Sequence, residues 1–195
     1  YYITDAERAD IEVCAKSYTN FVLVINSGAQ IDLGFADEID GIGAIVYICQ
    51  LGSEGGNALA DVLSGAVSPS GKLTDTWAKS YQDIPFGENF SYLNGDLDNE
   101  DYSEGIYVGY RYFDSFGIHP RYPFGYGLSY TDFAIEMLDA VADGTAVTVT
   151  AKVTNIGQTA GKEVVQLYVS APAGQFHKEY QQLVAFAKTP LLQSG

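Results

Sequence analysis

Hydrophobic positions along this chain change their spacing three times, and each change marks a different kind of structure. The first stretch is helical: Ile11, Cys14, Ala15 and Tyr18 recur every three or four residues, one stripe of an amphipathic helix. Thr4-Asp5-Ala6-Glu7 in front of it has the form of a capping box, in which hydroxyl and carboxylate each satisfy an orphan backbone amide. Ile3 stands where a staple residue belongs. Phe21 to Ile25 follows as an unbroken apolar run that stops at Asn26-Ser27-Gly28. Such runs suit strands buried on both faces of a parallel sheet. A second run, Ile42 to Cys49, comes after Ile31 to Ile39, which can supply a short crossover helix. The two runs are expected to lie side by side and parallel, joined by a right-handed crossover. Gly55-Gly56 then precedes Leu59, Val62 and Leu63 at helical spacing, closed by Gly65. Strand alternating with helix is α/β grammar.

After Pro69-Ser70-Gly71 the pattern loosens. Residues 80 to 110 hold Asp83, Glu88, Asp96, Asp98, Glu100, Asp101 and Glu104 with no Lys or Arg, which reads as a long exposed loop of the functional or linking kind. From Tyr102 to Tyr130 come ten Tyr or Phe residues in 29 positions, against a chain average of 13% aromatic. Glu104 to Phe113 within it can be a strand with rings on both faces. Interdomain packing is the favoured reading of the rings, and a sugar-binding surface the other, since ring faces stack on pyranoses while hydroxyls find partners. The segment is expected to lie against both flanking parts, with Arg111 paired to a carboxylate of the acidic stretch or of the α/β part.

Beyond Thr131 the pattern is β. Val147, Val149, Ala151 and Val153 alternate with Thr148, Thr150, Lys152 and Thr154, a period of two. This predicts a strand over 146–155 pairing antiparallel with 164–170 across a turn near Gly157, valines inward and threonines outward. An immunoglobulin-like sandwich takes about 100 residues and seven strands, and 65 residues remain here, so the sandwich is expected to be partial. The chain opens on Tyr1-Tyr2 without Met or signal peptide, and both ends read as breaks in something longer. The fold class is therefore α/β followed by all-β, divided at 1–80, 81–130 and 131–195.

Composition then removes whole classes of function. Ten Lys and Arg against 25 Asp and Glu leave a net charge of −15, which repels phosphate backbones, so no nucleic acid is expected as partner. Anionic membranes are disfavoured equally, and an apolar run of five residues is far below a membrane span. Cys14 and Cys49 are too few for a disulfide scaffold and lack Cys-x-x-Cys spacing; both read as buried free thiols.

The small motifs mostly fail on context. Asp96 to Asp101 resembles a calcium loop, but the sixth and twelfth positions hold Asp101 and Tyr107 where Gly and Glu belong. Gly41-Ile42-Gly43 lacks the third glycine of a dinucleotide site and precedes its strand. His119 and His177 have no ligand-spaced neighbours, and no nucleophile elbow is present. No metal and no cofactor is expected. The sequon Asn89-Phe90-Ser91 is short enough to arise by chance. Glu54, in Gly52-Ser53-Glu54-Gly55-Gly56, is the carboxylate worth following: it ends a strand loop and opens a helix, where ligands of parallel sheets bind. It can act as a helix N-terminal charge, as a sugar-hydroxyl acceptor or as a general acid.

Four blocks carry a specific likeness. Gly52 to Gly65 (GSEGGNALADVLSG) with Pro69-Ser70-Gly71-Lys72-Leu73 resembles the second, α/β sandwich domain of glycoside hydrolase family 3. Glu104 to Tyr112 (EGIYVGYRY) and Tyr122 to Tyr130 (YPFGYGLSY) resemble that family's next two signatures. Val153 to Gly157 (VTNIG) with Gly161 to Val169 (GKEVVQLYV) is similar to its fibronectin type III-like domain. The resemblance implies part of a retaining β-glucosidase-type enzyme acting on terminal non-reducing β-linked sugars, its partners being an oligosaccharide or β-glycoside substrate and a (β/α)8 barrel of the same protein. It places the nucleophilic Asp in that barrel and the acid/base Glu in a Glu-Gly-x-Asp-Arg type segment preceding Tyr1, so this chain is expected to contribute no catalytic carboxylate and Glu54 to be a substrate-binding residue. The alternative is a non-catalytic carbohydrate-binding or scaffolding module.

Overall fold

A computed structural model describes residues 1–90, 93 and 95–195 of the chain. It mixes helices and strands, the strands forming small two-stranded sheets. Helix α1 (Asp5–Ser17) starts as its residues dictate: the Thr4 hydroxyl accepts from the Glu7 amide, and the Glu7 carboxylate accepts from the Thr4 amide at 2.7 Å. Those bonds hold Glu7 below its ordinary carboxylate value. Ala15 is buried and Cys14 half-buried, but the helix stops at Ser17, so Tyr18 turns outward, 64% exposed. Gly41 is required where the chain passes under α1: a Cβ there would stand 2.7 Å from the Ala15 carbonyl oxygen, and its φ is +99°.

Strands β1 (Phe21–Ile25) and β2 (Ile42–Tyr47) pair in parallel, Leu23 opposite Ile45 and Ile25 opposite Tyr47. The four-residue helix α2 (Phe35–Glu38) lies in their connection. One face, with Phe21, Leu23, Ile25, Ile45 and Tyr47, packs on the core of Ala15, Leu33, Phe35, Ile39 and Trp77. Burial on both faces is not what the sheet shows. Val22 is 36% exposed and its partner Ala44 is exposed too, because a two-stranded sheet within this chain has one well-covered side. Helix α3 (Gly55–Leu63) follows and ends at Gly65, whose φ is +78°.

Among its described residues the middle segment includes the single-turn 3₁₀ helices Tyr81–Asp83 and Gly87–Asn89, then helix α4 (Tyr110–Phe116). Glu104 to Phe113 is therefore no strand: Gly105 and Gly109 both take positive φ, and Gly109 opens α4. Trp77, 2% exposed, ties this segment to the sheet. Its amide donates to the Tyr122 carbonyl at 2.9 Å, and its ring sits edge-on to Tyr47 at 5.0 Å.

In the last third, β3 (Phe133–Asp143) and β4 (Ala146–Asn155) form a hairpin, and β5 (Val164–Val169) pairs with β6 (Gln182–Lys188), both antiparallel. The expected pairing of 146–155 with 164–170 is wrong: each strand has a different partner. The face parity along β4 does hold in part, since Val149 and Val153 are half-buried and Thr148 and Thr150 exposed, while Val147 is 64% exposed. The β3 strand hides in the sequence because Leu138 is an extra residue between Met137 and Asp139; a bulge of this kind breaks the period of two.

Arg121 grips Asp37 of α2 with both guanidinium ends, each at 2.9 Å, the bidentate geometry of the stronger ion pairs. The Arg121 hydrogen bonds hold Asp37 below the usual carboxylate range. A carboxyl depressed by folding adds stability that is complete above its unfolded value, about 3.9, and lost as pH falls through the folded value. Asp37 is 70% exposed, so solvent screening keeps the effect to about 0–1 kcal/mol. Urea midpoints measured on either side of that window should fall less in Asp37→Asn than in the parent chain. Superimposable losses would show that the pair contributes nothing to acid sensitivity.

Candidate functional site

Ligands of parallel sheets bind outside the carboxyl ends of the strands, and two loops meet there in this chain. The loop after β1 runs from Asn26 to Gly34 and that after β2 from Ile48 to Glu54. They touch: a Cβ on Gly28 would sit 3.1 Å from the Gln50 side-chain amide. Cys49 is exposed with φ +53°, and Cys14 is only half-buried, so the expected burial of both thiols fails. The β2 strand ends two residues before Cys49 and the chain kinks outward. Burial, with a hydrogen bond to Cys49, pushes Tyr47 up to about 12.

Glu54 occupies the N-cap position of α3 but makes no side-chain cap bond. Its carboxylate is exposed and accepts from Asn57 Nδ2 at 2.6 Å. The charge thus lies at the helix start, exposed at the end of the loop after β2.

The aromatic segment touches both flanking parts. Tyr110 on α4 accepts from the Leu183 amide at 2.8 Å, and its ring meets Tyr168 at 5.6 Å and Phe124 at 5.2 Å. Asp114 accepts from Gln181, and Ser115 from the Tyr180 amide. On the other side the Tyr130 hydroxyl donates to the Val62 carbonyl at 2.7 Å. Arg111 does not pair as expected: its nearest carboxylate is Glu179, 3.9 Å away between β5 and β6, and its guanidinium also lies over the Tyr110 ring. The reason is placement on a helix whose far side meets the β5–β6 pair. Lys72 crosses the same seam, its ammonium 2.9 Å from Glu163 and donating to the Gly127 carbonyl.

Two adjoining cavities open along this seam, of about 390 and 240 Å³, both lined by Thr76, Tyr110 and Phe124. The larger also receives Gln30 from the β1 loop, with Asp75 and Glu104. No motif marks Gln30 or Thr76, because the cavity gathers residues from segments far apart in the chain.

In the acidic loop, Asp96 accepts from the Asp98 and Asn99 amides and from the Asn99 side chain, which keeps it below the ordinary value. Among the described residues no group of three His, Cys, Asp or Glu side chains is placed to share a metal ion. None of the described helices is long and apolar enough to cross a membrane. Asn89 closes a 3₁₀ turn, while Ser91 of the sequon lies outside the described residues.

Comparison with known proteins places this arrangement. Residues 1–130 match the Glycosyl hydrolase family 3 C-terminal domain. A β-glucosidase of Ruminococcus albus is 46% identical over 193 residues, 98% of this chain and 20% of the relative. Thermostable β-glucosidase B of Acetivibrio thermocellus is 40% identical, over 95% of this chain and 24% of the relative. Among solved structures, β-glucosidase 3B of Thermotoga neapolitana, in complex with glucose, superposes with a TM-score of 0.91 at 39% identity, over 100% of this chain and 27% of that one. A Kluyveromyces marxianus β-glucosidase gives 0.91 at 33% identity, over 100% of this chain and 22% of that one. The chain spans about a fifth to a quarter of the length of these curated relatives. With the parallel pair, the Glu54 helix start and the aromatic segment up to Tyr130 all falling inside the matched region, the chain belongs to glycoside hydrolase family 3, in the part that forms the family's C-terminal domain.

Proposed function

We propose that this chain works within a retaining exo-β-glycosidase of the β-glucosidase type, which hydrolyses terminal non-reducing β-linked sugars. In this reading it forms one wall of the active-site pocket against a (β/α)8 barrel of the same protein, binds an oligosaccharide or β-glycoside through Glu54, and carries neither catalytic carboxylate. The observation that carries the reading is a match to curated β-glucosidases along nearly the whole chain, 46% identical in one case. The exposed Glu54 carboxylate at the carboxyl ends of the two parallel strands supports a binding role, since it is free on its outer side to accept from sugar hydroxyls. The division at 1–80, 81–130 and 131–195 belongs to the same proposal, as a partial α/β sandwich, an aromatic connector and a partial fibronectin III-like sandwich. The family match ending at residue 130 and the all-strand character of 133–188 support it.

Glu54→Gln in the complete enzyme tests the site. Losing a charged acceptor for a substrate hydroxyl should raise KM about 10-fold and leave kcat close to its parent value. A collapse of kcat with KM unchanged would make Glu54 the acid/base. Unchanged values of both would take it out of the pocket.

A further inference from the structure

Two Asp-Gly pairs occur in the chain, Asp40-Gly41 and Asp143-Gly144, and the fold treats them differently. A glycine after an aspartate carries no Cβ to shield its main-chain nitrogen or to restrict its φ and ψ, so that nitrogen can attack the aspartate Cγ and close a five-membered ring. Ring closure rotates the peptide between the two residues, and the surroundings decide whether that rotation is allowed in the folded protein. At Asp40 they oppose it. A Cβ on Gly41 would already stand 2.7 Å from the Ala15 carbonyl oxygen of α1, Ile39 before the pair is buried in the core, and Ile42 after it enters β2. At Asp143 the peptide is free to turn. Residues 141–148 are all exposed, nothing lies within 4 Å of a Cβ built on Gly144, and the ladder closes on the single pair Asp143 and Ala146. Element ends of this kind open at little cost, whereas core elements open only with the whole fold.

We propose that Asp143-Gly144 is a self-modification site, at which the folded protein converts Asp143 to a β-linked isoaspartate while Asp40 stays intact. The Gly144 nitrogen forms a bond to the Asp143 Cγ, and the carboxyl hydroxyl leaves with the amide proton as water, giving a succinimide. Water then opens the ring. Attack at the side-chain carbonyl restores aspartate, and attack at the main-chain carbonyl leaves the backbone running through Cγ. Nothing is oxidised or reduced, and solvent is the only co-reactant. The β-linked product has one extra main-chain carbon next to a two-residue turn, and turn length fixes hairpin register. The change therefore loosens the turn end of the β3–β4 hairpin. The inference stands whether or not the chain works in a glycosidase.

Trypsin separates the two pairs, Asp40 falling on residues 17–72 and Asp143 on residues 122–152, with Asn94-Gly95 on a third peptide, 80–111. The complete polypeptide is kept warm in mildly acidic buffer, once folded and once in concentrated urea, then digested. Isoaspartate on each peptide is counted with an isoaspartyl methyltransferase and a labelled methyl donor. In the folded protein the label should build up severalfold faster on 122–152 than on 17–72, and in urea the two rates should draw together. Asp143→Glu, which would need a larger ring, should leave 122–152 unlabelled. Gly144→Asn, a residue that tolerates positive φ but shields its nitrogen, should slow labelling severalfold without opening the turn. No label on 122–152 from the folded protein, equal or faster labelling of 17–72, a preference undiminished in urea, or label on 122–152 that survives Asp143→Glu would each overturn the proposal.

Discussion

Purified by itself, the 195-residue chain should release no nitrophenol from a nitrophenyl β-glucoside above the buffer rate, while the complete polypeptide should turn it over. Retaining hydrolysis uses two carboxyl groups about 5–5.5 Å apart, one attacking the anomeric carbon and one delivering then removing a proton. In the reading proposed above, both of these carboxyl groups come from outside this chain. The carboxylate at the candidate site is Glu54, exposed and bonded to Asn57. General acid/base help alone contributes roughly 10²–10⁴-fold, and nucleophilic participation adds to that, so loss of both returns the rate to background. The measurement needs the chain alone, the complete enzyme, and Glu54→Gln in each. Turnover by the chain alone, abolished by that substitution, would relocate the active site to Glu54.

Asn155→Leu should cost about 3 kcal/mol or more of folding stability, since each buried donor or acceptor left unpaired costs about 1–3 kcal/mol. Asn155 is 1% exposed. Its side-chain oxygen accepts from Thr131 Oγ1 at 2.6 Å and from the Gly157 amide at 3.1 Å, and its Nδ2 donates to the Thr159 and Leu192 carbonyls at 2.8 and 3.0 Å. An asparagine side chain offers two donors and two lone pairs, and here all four are used. Leucine has similar bulk and none of these bonds, so the Gly157 amide, the Thr131 hydroxyl and the Thr159 carbonyl lose this partner where water reaches poorly, and the Leu192 carbonyl keeps only the Gly161 amide. The residue joins the end of β4 to the start of β3 and to the segment after β6. Its loss should therefore loosen all of 131–195 together. Urea unfolding followed by far-ultraviolet dichroism would measure it, and a midpoint shift worth under about 1 kcal/mol, the net value of one ordinary hydrogen bond, would refute the four-bond reading.

Features confined to a few neighbouring residues are legible from the amino acids alone. Thr4 and Glu7 form their capping box because both partners lie within one helical turn. The parallel pair is legible because Phe21 to Ile25 and Ile42 onward are apolar without a break. Legibility ends where partners lie far apart or a local irregularity masks the spacing. Leu138 bulges out of β3, and Val184 does the same in β6, so neither strand shows a clean alternation, and spacing alone pairs β4 with β5. The rings of Tyr110 to Phe116 obscure a short helix, since aromatic residues favour strands locally and packing against Tyr168 and Phe124 overrides that. Arg111 meets Glu179 because α4 turns its side toward β6, which no spacing announces. In the candidate site, Glu54 is visible through its glycine-rich context, whereas Gln30 and Thr76 belong to no motif and are brought to one seam cavity from distant segments.

That seam also sets the order in which the chain assembles. Gly144, with φ +60°, sits in a two-residue turn between Asp143 and Ala146, the arrangement that favours tight hairpins. Hairpins of this kind zip in about 1–10 μs. The seam bonds instead join residues 91 and 118 positions apart, Lys72 to Glu163 and Lys188 to the Ser70 carbonyl, and the entropy of closing such long loops must be met before those contacts form. The β3–β4 hairpin is therefore expected to form before the halves of the chain find each other, and Ile135, Met137 and Val147 stay more than half exposed even in the folded chain. During that interval the carboxylates of Glu136, Asp139 and Asp143 act as gatekeepers, keeping unfinished strands from pairing with those of neighbouring molecules.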